Sequence, residues 1–414
     1  MEVLLGKTLS ELQTIAVEAG LPRFVGKQLC EWLYRKCVTS FDQMTNISLK
    51  ARQALQAKYV IGRITPTAEA VSQDGTRKYL FPASVSKLGT PTDANISASD
   101  GEERRHTSPL CRPAASDATV LPNAVECVYL PEDDRATLCV STQAGCKMGC
   151  KFCMTGTLGF HGNLSADAIL AQVLHFLSPY TFSLSPLTNL VLMGEGEPMD
   201  NIDNVLRALN VLTSDWGLGW SPKRITVSTV GFLQKPHPTS DTQHQTPNIP
   251  PRQPALQRFL EETDCHLAIS LHNPNATERA AIMPAERLTP ISEVLDLVRR
   301  YDWSKQRRLS FEYICWAGVN DDQQHAKQLL RLLQGLPCRV NLIRFHSGQQ
   351  TADSNQHASY SSLQTIFPAS DEQRMIAFRD YLSAHGVTCT IRKSRGEDIL
   401  AACGMLVNAL SENV

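Results

Sequence analysis

The chain lacks any apolar run of membrane-spanning length, so transmembrane helices are excluded and no membrane partner is expected. Its opening, Met1-Glu-Val-Leu-Leu-Gly6, has none of the basic, apolar and small-residue plan of an export signal, and a cytoplasmic protein is expected. An excess of either charge is also missing: 40 Lys and Arg stand against 41 Asp and Glu, for a net charge of −1. Any nucleic acid must therefore be met by local basic clusters, because no global field attracts it. Lys223-Arg224, Arg299-Arg300, Lys305 to Arg308 and Arg392-Lys393-Arg395 could meet phosphates, though each alone reads more often as solvated surface. Aromatic residues are few, at 7%, while 42% hydrophobic and 20% charged residues describe an ordinary folded protein. Thirteen cysteines in 414 residues fall far short of a disulfide scaffold yet are many for a reducing compartment. They read as free thiols, ligands or catalysts.

What is present centres on Cys146-Lys-Met-Gly-Cys150-Lys-Phe-Cys153, a CxxxCxxC run just after the apolar stretch Ala136 to Ser141. Three thiolates at this spacing can turn toward one centre, and their softness favours an iron–sulfur cluster or zinc over hard cations. A [4Fe-4S] cubane has four irons, so three protein ligands leave one iron open to bind and reduce a small molecule. With Phe152 before the last Cys, the run is similar to the signature of the radical S-adenosylmethionine (SAM) enzymes. Two other readings stand beside it. The cysteines and His161 would make a Cys3His structural zinc site, or the three thiols would be core packing, against which Lys147, Lys151 and the glycines argue.

Three regions are expected. Residues 1–60 read as a small helical domain: Thr8-Leu-Ser-Glu11 is a capping box, Gly20 and Pro22 end that helix, and a helix-spaced apolar stripe runs from Phe24 to Lys36. A third helix begins near Ser48. The region's many Lys and Arg read equally as a solvated face or as a surface for an RNA backbone. Residues 61–135 read as a short β-rich connector, with strands at Thr76–Phe81 and Val125–Leu130. These flank a polar insertion at 84–123 too poor in apolar residues to order itself.

From 136 to 404 apolar runs at 137–142, 188–194, 224–229, 266–272, 308–315, 339–346 and 388–392 alternate with amphipathic helical segments. Helix starts are read at Ser165, Asp200, Thr289-Pro290, Asn320-Asp-Asp-Gln323 and Ser370-Asp-Glu-Gln373. Repeated βα units give an α/β fold, a partial (β/α)6-type barrel, interrupted by a second polar insertion at 235–254 and followed by a tail at 405–414. The working face of such a barrel is the carboxyl end of its strands. There lie the cysteine loop, the turn Met193-Gly-Glu-Gly196-Glu197-Pro198, Ser228, Ser270-Leu271-His272 and Asn341.

From Glu126 to Gly404 the chain resembles the RlmN family of radical SAM methyltransferases. The matching stretches are the strand around Glu126, Thr137-Leu-Cys139-Val-Ser, the CxxxCxxC loop, Gly-Glu-Gly196-Glu197-Pro, Ile-Thr-Val-Ser228, Ala-Ile-Ser270-Leu271-His272, Val-Asn341-Leu-Ile and Asp398-Ile-Leu-Ala-Ala-Cys403-Gly. The resemblance implies methylation of adenine C2 in 23S ribosomal RNA and, in some members, transfer RNA, in a ping-pong reaction using two SAM per turnover. It implies that Cys146, Cys150 and Cys153 hold a [4Fe-4S] cluster, and that Gly196, Glu197, Ser228, Ser270, Leu271, His272 and Asn341 bind SAM. Cys403 would accept a methyl as a thiolate. A second SAM, cleaved at the cluster, would supply the radical that takes hydrogen from that methyl, and the resulting carbon radical would add to adenine C2. Glu126 would remove the C2 proton, and Cys139 would free the RNA by forming a transient disulfide with Cys403. A reductant such as flavodoxin and a monomeric chain are expected. Glu195 departs from the family, which carries Met there, and places a charge expected beside the SAM amine. The rival readings are the related adenine-C8 methyltransferases, which share these residues, and a zinc-stabilised RNA-binding module.

Overall fold

A computed structural model describes residues 1–83, 124–177, 185–233, 253–305, 307–345, 367–402 and 404–406. The insertion at 84–123, nearly all of that at 235–254, Cys403 and residues 407–414 lie outside the described residues. No helix among the described residues is long and apolar enough to cross a membrane.

Each apolar run of the barrel region forms a strand. They are β6 (Ala136–Cys139), β9 (Leu187–Leu192), β10 (Ile225–Thr229), β11 (His266–Ser270), β12 (Leu309–Cys315), β13 (Cys338–Arg344) and β14 (Thr388–Arg392). All pair in parallel in chain order, so every crossover adds the next strand on the same side and the sheet curls toward a barrel. Helices on the outer face cover it. Because both faces of β12 are packed, all seven of its residues are buried, as a parallel strand under a helical layer requires.

The sheet does not stop at β6. Antiparallel strands β5 (Ala124–Pro131), β4 (Arg77–Pro82) and β3 (Ala68–Val71) extend it to ten strands, with β3 and β14 at the edges. Two short pairs lie apart from it: β1 (Glu2–Val3) with β2 (Tyr59–Val60), and β7 (Gln143–Gly145) with β8 (Phe160–Asn163). The second pair brackets the cysteine loop and holds both of its ends.

At the N-terminus, Leu9–Glu18 begins with the expected capping box, in which Thr8 accepts from the Glu11 N–H and Glu11 accepts from the Thr8 N–H. Ser48 caps Leu49–Gln56 by accepting from the Ala51 N–H alone. Between them Val25–Cys30 continues into a π-turn, Glu31–Arg35, where the extra residue per turn lets Trp32, Leu33 and Tyr34 all face inward. Other helix starts differ from the sequence expectation by a position or two. Asp322, not Asn320, caps Gln323–Leu332, and Asp371 caps Glu372–Ala384. Asn201 precedes Ile202–Thr213, which frees Asp200 for other work. Thr289 turns inward to accept from the Leu233 N–H.

Candidate active site

The cysteine loop runs between β7 and the short helix Met154–Thr157. Its outer side rests on the helix Ala276–Ile282, where the Lys151 N–H donates to the Ile282 carbonyl at 2.9 Å. Phe152 packs edge-on against His272 at 4.8 Å and against Trp316 at 5.2 Å. Burial pushes all three thiols up, Cys146 to about 12, and Cys150 is raised further by its two neighbours. Donors already face the sulfurs: the Gly156 and Thr155 N–H groups and the Thr155 hydroxyl at Cys153, and the Met148 N–H at Cys146.

Soft ligands in an apolar seat with N–H donors at the sulfurs fit a [4Fe-4S] cluster, whose positive irons would stabilise the thiolates that burial disfavours. Among the described residues no trio of His, Cys, Asp or Glu is gathered for a single metal ion. A cubane asks less convergence of its thiolates, since each binds a separate iron. His161, the fourth ligand of the zinc reading, is exposed, and its Nε2 lies 2.9 Å from the Leu158 carbonyl.

The turn after β9 lies beside this loop. Gly196 has φ +96°, and a Cβ there would fall 2.4 Å from the Gln143 Cβ, so only glycine fits. Gln143 accepts from the Glu197 N–H and donates to Asn163 and to Asp200, which also pairs with Lys147 of the loop at 2.9 Å. The Glu197 carboxylate accepts from the Met199 and Val230 N–H groups at 2.9 and 2.8 Å, and burial raises it to about 7. Glu195 corrects the expectation of a charge offered to a ligand amine. Its buried carboxylate accepts from the Glu126 N–H at 2.8 Å and the Gly145 N–H at 3.1 Å, stapling β5 to β7.

Along the strand ends, Ser228 is half-buried on β10, while Ser270, Glu312, Asn341 and Thr390 stand in one register row across β11 to β14. Glu312 is the residue the sequence reading passed over. It is buried, burial raises its pKa, and it accepts from Asn341 at 2.7 Å and Ser310 at 3.1 Å. Thr390 donates to the Asn341 carbonyl at 2.9 Å, so the amide is oriented from both sides. Its signal was legible: a lone carboxylate in the middle of Leu-Ser-Phe-Glu-Tyr-Ile-Cys needs partners or a task.

Leu271 is fully buried, and its N–H and that of His272 both donate to the Glu312 carbonyl. His272 has φ +56°, a strained conformation for a residue with a side chain. Its Nδ1 accepts from the Ile314 N–H at 3.1 Å, which leaves the proton on Nε2. Burial, helped by Arg279, lowers its pKa to about 3, so the ring stays neutral and donates from a fixed tautomer.

Glu126 lies on β5, with its carbonyl accepting from Ser141 and its carboxylate 3.1 Å from Lys78 of β4; both side chains are almost wholly buried. Cys139 ends β6 and packs against the cluster of Val128, Ala401 and Leu406. Cys403 lies outside the described residues, but both of its neighbours in sequence are placed. Ala402 packs on Met154, and the Gly404 carbonyl accepts from the Met154 N–H at 2.9 Å. The C-terminal segment therefore meets the cysteine loop on one side and the end of β6 on the other.

Comparison with known proteins follows the same lines. Residues 3–61 match the ribosomal RNA large subunit methyltransferase N-terminal domain, and residues 140–330 match the radical SAM superfamily. A probable dual-specificity RNA methyltransferase RlmN of Bacteroides thetaiotaomicron is 46% identical over 99% of this chain and 97% of its own length. The chain belongs to the RlmN family. A more distant dual-specificity RNA methyltransferase RlmN, from Syntrophotalea carbinolica, retains 34% identity over 98% of this chain and 89% of its own. A crystal structure of a radical SAM methyltransferase from Sphaerobacter thermophilus has a similar fold. It has a TM-score of 0.75 and 32% identity, covering 99% of this chain and 100% of that one.

One group offered to RNA by the sequence reading is withdrawn. Arg307, from the Lys305–Arg308 cluster, is buried; it donates to the Leu260 and Thr263 carbonyls at 3.0 and 2.9 Å and stacks over Phe259.

Proposed function

We propose that this chain methylates C2 of an adenine in 23S ribosomal RNA, and in transfer RNA as well, with SAM as the methyl source. The observation that carries the reading is the meeting of three elements: the Cys146–Cys153 loop, the Gly196–Glu197 turn, and the segment through Ala402 and Gly404 packed between Met154 and Cys139. A [4Fe-4S] cluster held by Cys146, Cys150 and Cys153 supplies, when bound, one electron to SAM from an external reductant such as flavodoxin.

The remaining work belongs to side chains. Glu197 and the strand-end groups Ser228, Ser270, Leu271, His272 and Asn341 bind and orient SAM, with the neutral His272 donating from Nε2. Cys403 takes the methyl as a thiolate, Glu126 accepts the C2 proton, and Lys78 sets a counter-charge 3.1 Å from its carboxylate. Cys139 attacks the Cys403 sulfur to release the methylated base, leaving a disulfide to be reduced before the next turnover. The adenine must be unstacked to enter, as a base in a loop or one flipped from a helix.

Mapping of 2-methyladenosine in RNA from cells with and without the gene tests the reading. Loss of the mark in both RNAs is expected, and an 8-methyl product would overturn the C2 assignment. In purified protein, Cys403→Ala should keep its iron and accept no methyl, and Cys139→Ala should accumulate a covalent RNA adduct visible on a denaturing gel. Adduct-free gels from Cys139→Ala would remove that thiol from the release step.

A further inference from the structure

We propose that Arg279 is a positioning residue for the reaction: its guanidinium fixes the SAM-binding rim against the cysteine loop. The inference rests on the function proposed above. Arg279 is 0% exposed, on the helix Ala276–Ile282 directly behind the loop. Its Nε donates to the Leu271 carbonyl at 3.0 Å, and Nη2 donates to the Ser270 carbonyl at 3.0 Å and the Val230 carbonyl at 2.8 Å. Nη1 pairs with Glu286, which in turn accepts from the Ile291 N–H at 3.0 and 3.1 Å. One residue thus gathers carbonyls that the parallel ladder leaves behind at the ends of β10 and β11. Those same positions carry or adjoin Ser228, Ser270, Leu271 and His272.

The other end of the connection is the loop. Three residues on from Arg279, the Ile282 carbonyl accepts from the Lys151 N–H at 2.9 Å, between Cys150 and Cys153. The Met283 N–H returns to the Arg279 carbonyl at 2.7 Å, closing that turn. The strand ends and the thiol loop are far apart in the chain, and Arg279 joins them through one short helix. SAM would have to be held at a set place relative to Cys146, Cys150 and Cys153, so an error in this join is an error in the reacting geometry. Only a planar fork with five N–H groups reaches these acceptors at once; lysine keeps the charge and loses the fork.

The test compares the parent with Arg279→Lys and Glu286→Gln, each loaded anaerobically with iron and sulfide. Iron and sulfide per chain, the dissociation constant for SAM by equilibrium dialysis, the change that SAM causes in the electron paramagnetic resonance spectrum, and KM against kcat are measured. Arg279→Lys is expected to keep parental iron content, with a thermal midpoint lowered by the bonds it loses, while binding SAM about tenfold more weakly, the scale of charge-assisted hydrogen bonds lost from a buried site. KM for SAM should rise by a similar factor with kcat less affected, and the SAM-induced spectral change should be reduced. Glu286→Gln, which leaves the three carbonyl bonds in place but strips a buried guanidinium of its counter-charge, should lower the thermal midpoint while moving SAM affinity less than Arg279→Lys does.

Parental SAM affinity and spectrum in Arg279→Lys would overturn the inference. So would loss of iron in step with loss of SAM, which would mark a role in folding alone. A loaded parent that binds no SAM would remove the functional reading itself and this inference with it.

Discussion

His325 stands between two carboxylates that belong to different elements. Its Nδ1 lies 2.8 Å from Asp322, on its own helix cap, and its Nε2 lies 2.9 Å from Glu278, on the helix that carries Arg279. Burial alone would lower the imidazole, but the hydrogen bonds to Glu278 and Asp322 outweigh it and raise the pKa above its ordinary value. Glu278 is lowered, first by its hydrogen bond to His325. Asp322 is lowered too, because bonds to the His325 backbone and ring outweigh its burial. Stability from the raised imidazole is complete below the unfolded value of about 6.5 and fades as pH rises through the folded one. That from the two carboxylates fades in the opposite direction, as pH falls through their lowered values. Denaturant melts of the parent should therefore lose stability on going from pH 6 to pH 8. His325→Gln should flatten that slope, with a difference of about 1 kcal/mol or less for so exposed a cluster.

At this scale the sequence revealed residues that sit in motifs and hid those that sit in patterns. Cys146, Gly196 and His272 were visible because cysteine spacing, a glycine and proline turn, or a place at the end of an apolar run marks them. Arg279 lies in Ala276-Thr-Glu-Arg-Ala-Ala-Ile282, which reads as a plain amphipathic helix, and nothing local says that its guanidinium turns inward. Arg307 misled for the converse reason, since a run of bases is usually solvated and only the tertiary fold buries this one.

At the scale of elements, the hairpin β3–β4 and the segment after β14 are latched by reciprocal acids. Asp398 accepts from the Ser72 hydroxyl at 2.5 Å and the Gln73 N–H at 3.0 Å, while Asp74 accepts from the Gly396 N–H at 3.0 Å. Gly396 has φ +64°, and a Cβ there would meet Thr76 and Ala401 at 2.8 Å. Arg395 adds a bond to the Pro131 carbonyl. Asp398→Asn is expected to speed proteolytic cleavage within 395–406, read by mass spectrometry of timed digests, while lowering global stability by only about 1–2 kcal/mol. Unchanged cleavage would show that the apolar contacts of Ala401 and Leu406 suffice. The strands themselves were legible because buried parallel strands need short β-branched runs between helix caps. The latch was not, since two aspartates so far apart in the chain give no sign of sharing one turn.

The first sixty residues, expected as a small domain of their own, share one continuous apolar core with the barrel: Leu4, Leu12, Leu29, Leu33 and Leu55 belong to the same cluster as Ile169, Val205 and Leu267. Polar contacts reinforce it, with Arg207 bridging to Glu11 at 2.7 and 2.8 Å, Arg63 donating to the Leu174 carbonyl at 2.8 Å, and Arg35 donating to that of Gly217 at 3.1 Å. A chain starting at residue 61 would uncover the apolar backs of the helices Ala166–Phe176 and Ile202–Thr213. It should aggregate or melt well below the parent, and the full chain should lose near-ultraviolet signal from Trp32 and Trp216 in the same transition as its helices. Two separated transitions would argue for an independent N-terminal unit. Helical periodicity identified the elements of this region; it had no means of showing which of their faces would be shared.

The latch between the hairpin and the end of the chain joins positions 326 residues apart. During synthesis the hairpin leaves the ribosome early and must wait, its turn unanswered, until Asp398, 326 residues further on, has been made. Contacts that close so long a loop form late, so a nascent chain can complete most of its sheet before the segment leading to Cys403 is drawn in. Products stalled before that segment would thus hold most of the sheet without Cys403, the methyl acceptor proposed above, and making that segment becomes the step that arms the molecule.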